Sequence, residues 1–162
     1  MKLLLSAALL LITGVCQADG PNLRTVTEKF QDWTLVCVEK EGKKQCRVNQ
    51  TLSNQNGETV AIINLVKKSK KEHLIEIVLP LLLNLTKHVN IAIDDKKPQK
   101  YSYNFCNNSA CFVIADGIKG KSILRSFKGG NEGTIAVTPF SKEQVKFGFS
   151  LKGFSAAFKA LN

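Results

Sequence analysis

Two local cysteine pairs, Cys37 with Cys46 and Cys106 with Cys111, constrain this sequence more than any other feature. In "WTLVCVEKEGKKQCRVNQTL", take Glu41-Gly42 as the two-residue turn of a β-hairpin, with Gly42 supplying positive φ. Lys40 then faces Lys43, and counting outward sets Cys37 directly opposite Cys46. Facing pairs alternate between hydrogen-bonded and non-hydrogen-bonded. The cysteines fall on a non-hydrogen-bonded pair, where Cα atoms approach to about 4.5 Å, within reach of a disulfide. The same register gathers Trp33, Leu35, Cys37, Cys46, Val48, Gln50 and Leu52 on one mainly apolar face, with Arg47, Asn49 and Thr51 on the other.

"FCNNSACF" repeats the arrangement. With Asn108-Ser109 as the turn, Cys106 faces Cys111, Phe105 faces Phe112 and Tyr103 faces Ile114. Asn108 is the residue expected to accept a left-handed conformation here. Two other chemistries compete for such cysteines. A zinc knuckle asks for a second matching cysteine pair or histidines, and a catalytic dithiol favours C-x-x-C beside a helix. This chain has one C-x4-C and one C-x8-C spacing, each explained by its own hairpin. The expectation is two structural disulfides and no metal site.

Disulfides need an oxidising compartment, and the N-terminus supplies a route to one. Lys2 is followed by an apolar run from Leu3 to Val15 and then small and polar residues. That run is shorter than the ~20 residues of a membrane span and suits a secretory signal. Cleavage after Ala18 leaves a mature domain of residues 19–162, with no transmembrane segment. Cys16 leaves with the leader, or is lipidated, although Val15 is larger than the residue such a site prefers. The protein is expected to be exported to the periplasm, with the cell surface or secretion as further destinations.

The chain carries a formal charge of +10, spread over "KEGKK", "KKSKKE", "DDKKPQK" and "GIKGKS". Lysine-rich loops of this kind are a solvated surface or a contact for an anionic envelope or host-surface partner. Arginine occurs only at Arg24, Arg47 and Arg125, without aromatic interleaving, so sequence-specific nucleic-acid recognition is not expected.

Between the stapled hairpins, "TVAIINLV", "HLIEIVL" and "HVNIAI" read as strands, with Pro80 ending the second and "DDKKP" forming a turn. "PLLLNLTK" reads as a loop with a helical turn, and "DGIKGKSILRSFKGG" as a short internal helix. "GTIAVTPF" and "VKFGFSL" are further strands. At the end, Phe154, Ala157, Phe158 and Leu161 form an apolar stripe on a short helix, expected to dock on the sheets. The fold class is mainly β, an antiparallel sandwich-like domain with two stapled hairpins and two short helices.

Three blocks, "QDWTLVCVEKEGKKQCRVNQ", "YSYNFCNNSACF" and "SLKGFSAAFKAL", together resemble the invasion-associated locus B family of exported bacterial proteins. The resemblance covers nearly the whole mature chain. It implies a signal peptide, four paired cysteines, a mostly β domain, no assigned catalytic activity, and a virulence-linked role in host-cell (erythrocyte) entry. Only the four cysteines match motif positions. The sequence departs in "LPLLLNLTKHV", where family members tend to carry glycine or proline between Leu81 and Lys87.

No catalytic constellation stands out. His73 and His88 lack metal-ligand spacing and read as solvated loop-edge residues, and Asp94-Asp95 reads as a turn with compensating lysines. No G-x-S-x-G elbow or phosphate-cradling loop is present. No catalytic residue and no cofactor are assigned. The expected function is a non-catalytic, virulence-associated exported protein; the alternatives are a binding module with a basic surface and a secreted enzyme of unrecognised type.

Overall fold

The computed structural model describes residues 23–69, 72–141 and 143–162. The leader expected over residues 1–18, with Cys16, lies outside them. Eleven strands and two helices follow in order: β1 (Leu23–Phe30), β2 (Trp33–Lys40), β3 (Lys43–Ser53), β4 (Thr59–Lys67), β5 (His73–Leu79), β6 (Val89–Ile93), β7 (Gln99–Tyr101), β8 (Phe105–Cys106), β9 (Cys111–Ala115), α1 (Gly117–Gly129), β10 (Glu132–Val137), β11 (Val145–Ser150) and α2 (Phe154–Leu161). They form a seven-stranded sheet, ordered β1-β2-β3-β4-β5-β9-β8, and a four-stranded sheet, ordered β11-β10-β6-β7. All pairings are antiparallel.

Period-2 alternation explains which faces are buried. Leu35, Val48, Leu65, Ile75 and Ala115 share one register row across β2, β3, β4, β5 and β9, and all are buried. The smaller sheet contributes Val89, Ile91, Ile135, Val137 and Phe149 to the same core. Both helices pack on the large sheet, α1 against β5 and β9, α2 against β1, β2 and β3. Four aromatics bind these parts together. Trp33 meets Phe154 edge-on at 4.9 Å between ring centroids, Phe127 meets Phe154 at 5.3 Å, and Phe149 lies 5.3 Å from Phe127. One cluster thus joins β2, β11, α1 and α2.

The entry to α2 is equally specified. Gly153 has φ of 87°, and a Cβ there would stand 2.0 Å from the Phe30 carbonyl oxygen, so only glycine lets α2 turn in this tightly. The Trp33 indole N–H donates to the Ser150 carbonyl at 3.0 Å, and the buried Gln50 amide donates to the same carbonyl at 3.1 Å. The apolar stripe on α2 docks as its spacing indicates, with Phe154, Ala157 and Leu161 buried.

Three local expectations are corrected. "PLLLNLTK" is a loop as read, but in place of a helical turn it has a single hydrogen-bonded turn, the Lys87 N–H donating to the Asn84 carbonyl at 3.1 Å, and Leu83 makes a β-bridge to Pro139. Asn108 does not adopt positive φ. The Asn107 carboxamide oxygen makes that turn by accepting from the Ser109 and Ala110 N–H groups at 2.8 and 2.9 Å. Tyr103 does not continue the second ladder to face Ile114, because the Asn104 side-chain oxygen takes the Ile114 N–H at 2.6 Å.

Candidate functional site

The large sheet has two chemically different ends. At one end lie the β2–β3 tip, the β4–β5 connection and the start of α1. The tip exposes Lys40, Lys43 and Lys44, and the connection adds the exposed Lys68 and, in sequence, Lys70 and Lys71. Glu41 and Gly42 have φ of 52° and 73°, as a primed two-residue turn requires, so Lys40 and Lys43 are held as direct cross-strand neighbours. Like charges there repel rather than stabilise, which favours a solvated or anion-facing tip. Among the described residues, Lys68 and Asp116 form an ion pair at 3.3 Å between half-exposed side chains, worth little to stability.

Beside this end runs a groove of about 840 Å3 between the β1–β3 ribbons and the end of α2. Val26, Leu35 and Leu161 give it apolar walls, Lys44 and Lys67 give it positive charge, and Glu28 brings a carboxylate, while Arg47 borders it from the opposite face of the sheet. The Cys37–Cys46 bridge lies in its wall. Apolar walls with two cations suit an amphipathic anionic ligand better than acid–base chemistry.

His73 holds the closing helix here instead of standing in solvent as a loop-edge residue. Its Nε2 donates to the Asn162 side-chain oxygen at 2.9 Å, its ring lies 4.9 Å from Phe158, and Lys67 donates to the Asn162 backbone oxygen at 3.0 Å. Lys128 sits 3.4 Å above the Phe158 ring, a cation–π contact. Burial, opposed by the Asn162 hydrogen bond and aided by Lys128 and Lys67, lowers the His73 pKa below its ordinary 6.5. The imidazole is therefore neutral in the folded protein at neutral pH. His88 is exposed, 3.5 Å from the Ser102 hydroxyl.

The cysteines meet as the hairpin registers require. Cys37 pairs with Cys46 and Cys106 with Cys111, each as facing residues with Cα atoms 4.0 Å apart. Asp94 does sit in the β6–β7 turn, with φ of 50°. It is also a brace: its carboxylate accepts from the Asn131 and Glu132 N–H groups at 3.0 and 3.2 Å, and these bonds, with the compensating charge of Lys96 as a smaller cause, lower its pKa. No group of three or more His, Cys, Asp or Glu side chains is arranged for a metal among the described residues. No described helix is long and apolar enough to cross a membrane. The groove and the role of His73 were not found from sequence, since both depend on where α2 comes to rest.

These features define a disulfide-stapled, two-sheet β domain closed by a C-terminal helix, with a cationic sheet end. The chain belongs to the invasion-associated locus B (IalB) protein family, whose model matches residues 33–162. Invasion protein B homologues from Brucella abortus strain 2308 and from Brucella abortus biovar 1 strain 9-941 are each 30% identical over 137 residues, covering 82% of this chain and 77% of theirs. The crystal structure of invasion associated protein B from Bartonella henselae has the same fold, with a TM-score of 0.71 at 22% identity, covering 84% of this chain and 94% of that one.

Proposed function

We propose that this protein is exported after removal of residues 1–18 and supports host-cell entry as a non-catalytic binding protein of the envelope. Its mature part, residues 19–162, would act from the periplasm, the cell surface or the surrounding medium. Membership of a family whose relatives are named as invasion proteins carries this reading. The leader-like N-terminus and two disulfides between backbone neighbours support an oxidising compartment. The lysine-bearing sheet end and its groove support an anionic partner, a polymer or headgroup of the envelope or host surface.

A deletion strain tested for entry, with complementation, decides the biological part. Loss of entry restored by the wild-type chain supports the proposal. The molecular part is read from retention on immobilised heparin or lipopolysaccharide, expected to fall steeply with salt and to weaken in a Lys43→Gln/Lys44→Gln variant. Normal entry together with salt-sensitive retention would favour the second reading, an envelope binding module without a direct part in invasion. That reading rests on the same cationic sheet end.

A further inference from the structure

At the other end of the large sheet the surface is built differently. The loop that follows β5 and the loop between β10 and β11 are laced by a short backbone ladder. The Asn84 N–H donates to the Thr138 carbonyl and the Phe140 N–H to the Leu82 carbonyl, both at 2.8 Å. Leu83 and Pro139 form the non-hydrogen-bonded pair between them, the position where proline's missing donor costs nothing. Leu83 is buried, so alternation turns Leu82 and Phe140 outward as cross-strand neighbours.

Leu82 is 84% exposed and Phe140 79% exposed, with the exposed Leu81 and Leu85 beside them. Leu82 has φ of 64°, a left-handed conformation that leucine rarely adopts. The backbone thus holds a large apolar side chain in solvent at a position where glycine would sit more easily. Such a convex apolar knob on a hydrogen-bonded base marks a contact surface.

Charge identifies what it contacts. On the outward face of the small sheet, Lys100, Asn90, Ala136 and Lys146 form one register row. Counting by twos from Ala136 through Thr138 brings Phe140 to that same face. Lys87 is exposed in the loop that carries Leu82. Glu143, an exposed acidic residue in the β10–β11 loop, offsets one of the three lysines Lys87, Lys100 and Lys146, so the surroundings keep a positive balance. A projecting apolar pair with lysines on the same face, a row of them about 13 Å along the strand, matches the boundary between anionic headgroups and acyl chains.

We propose that Leu82 and Phe140 insert into the interfacial layer of an anionic lipid membrane, with Lys87, Lys100 and Lys146 on its headgroups. Two apolar side chains hold a membrane only weakly, so the lysines are needed and binding depends on anionic lipid and on salt. This contact is separate from the lysine tips of the opposite sheet end and does not rest on an entry role.

The test is co-sedimentation of the purified chain, its N-terminus established by intact mass, with vesicles of phosphatidylcholine alone or mixed with phosphatidylglycerol. The wild type is expected to bind the mixed vesicles at low salt and to release at high salt. A Leu82→Gly/Phe140→Ser variant should partition about tenfold less or weaker still, and Lys100→Gln/Lys146→Gln should lose the preference for phosphatidylglycerol. Glycine suits the φ of residue 82, and an unchanged thermal midpoint confirms that the variant is folded; Leu82→Gly alone serves if the double variant is not. Heparin retention should be unaffected by the apolar variants, which separates this contact from the polymer-binding one. The proposal is overturned if the wild type leaves mixed vesicles unbound, or if the folded apolar variant binds them equally well. It is also overturned if that variant changes oligomeric mass instead of vesicle binding, which would make a second copy the occupant.

Discussion

The hairpin of β2 and β3 and the hairpin of β8 and β9 each carry a disulfide on a non-hydrogen-bonded pair, yet they stand in opposite settings. The first lies inside the large sheet, between β1 and β4, and its strands run for 8 and 11 residues. Its turn is made by two backbone conformations, at Glu41 and Gly42. The second lies at the far edge, where β8 has only 2 residues and a side chain, Asn107, makes the turn. Ladder, turn and core hold the first hairpin without its bridge. In the second, the bridge and the stacked rings of Phe105 and Phe112, 4.6 Å apart, carry what a longer ladder would otherwise supply. Identical bonds therefore have different duties.

The largest expected effect comes from removing the interior bridge. Cys37→Ala/Cys46→Ala should cost about 2–3 kcal/mol, mainly through the unfolded chain. A urea midpoint reports it, and the β2–β3 amides should keep their exchange protection relative to the rest of the core. The edge bridge reverses the pattern. Cys106→Ala/Cys111→Ala should cost less globally, about 1–2 kcal/mol, while amides from residue 104 to 111 exchange by local opening. Equal protection in both variants would erase the distinction. Cys106 is exposed whereas Cys37 is 6% exposed, so mild reductant should cleave the edge bridge first in the native protein, as mass mapping would show.

Smaller effects separate the turns. Gly42→Ala places a side chain at φ of 73° and should cost about 1–2 kcal/mol by thermal unfolding. Asn107→Ala removes two hydrogen bonds to backbone N–H groups and should cost about 1 kcal/mol. The smallest effect is pH-dependent and confined to the end where α2 is anchored. The folded pKa of His73 lies below 6.5, so the unfolded chain takes up its proton first. Its contribution is complete above pH 6.5 and drains away as pH falls from 6.5 through the folded pKa. Protection factors of the α2 amides, taken against the intrinsic exchange rate at each pH, should fall over that window, with no matching change in β8 and β9.

Much of this contrast could be read from residue order alone, for a definite reason. A tight turn fixes the parity of every pair beyond it, so both cysteine partners followed from counting. Apolar alternation likewise marked β4, β5, β6 and the stripe of α2. What escaped was β1. In "LRTVTEKF" seven of eight residues are exposed, and an edge strand that buries no face leaves no apolar rhythm to detect. The Asn107 turn escaped because the oxygen that closes it belongs to the residue before the two turn positions. The helical turn wrongly expected near Leu81 came from an apolar run whose only buried leucine among positions 81–85 is Leu83, satisfied by a partner more than fifty positions away. The groove and the Leu82–Phe140 knob share that dependence on distant chain.

Neither sulfur bridge encloses the other, and neither spans more than 9 positions. If the chain is exported as proposed, emerging gradually through a translocation channel, the earlier link seals before residues of the later one appear. Mispairing between the two would then be avoided by order of arrival, so a thiol oxidase would suffice and reshuffling by an isomerase would have nothing to correct.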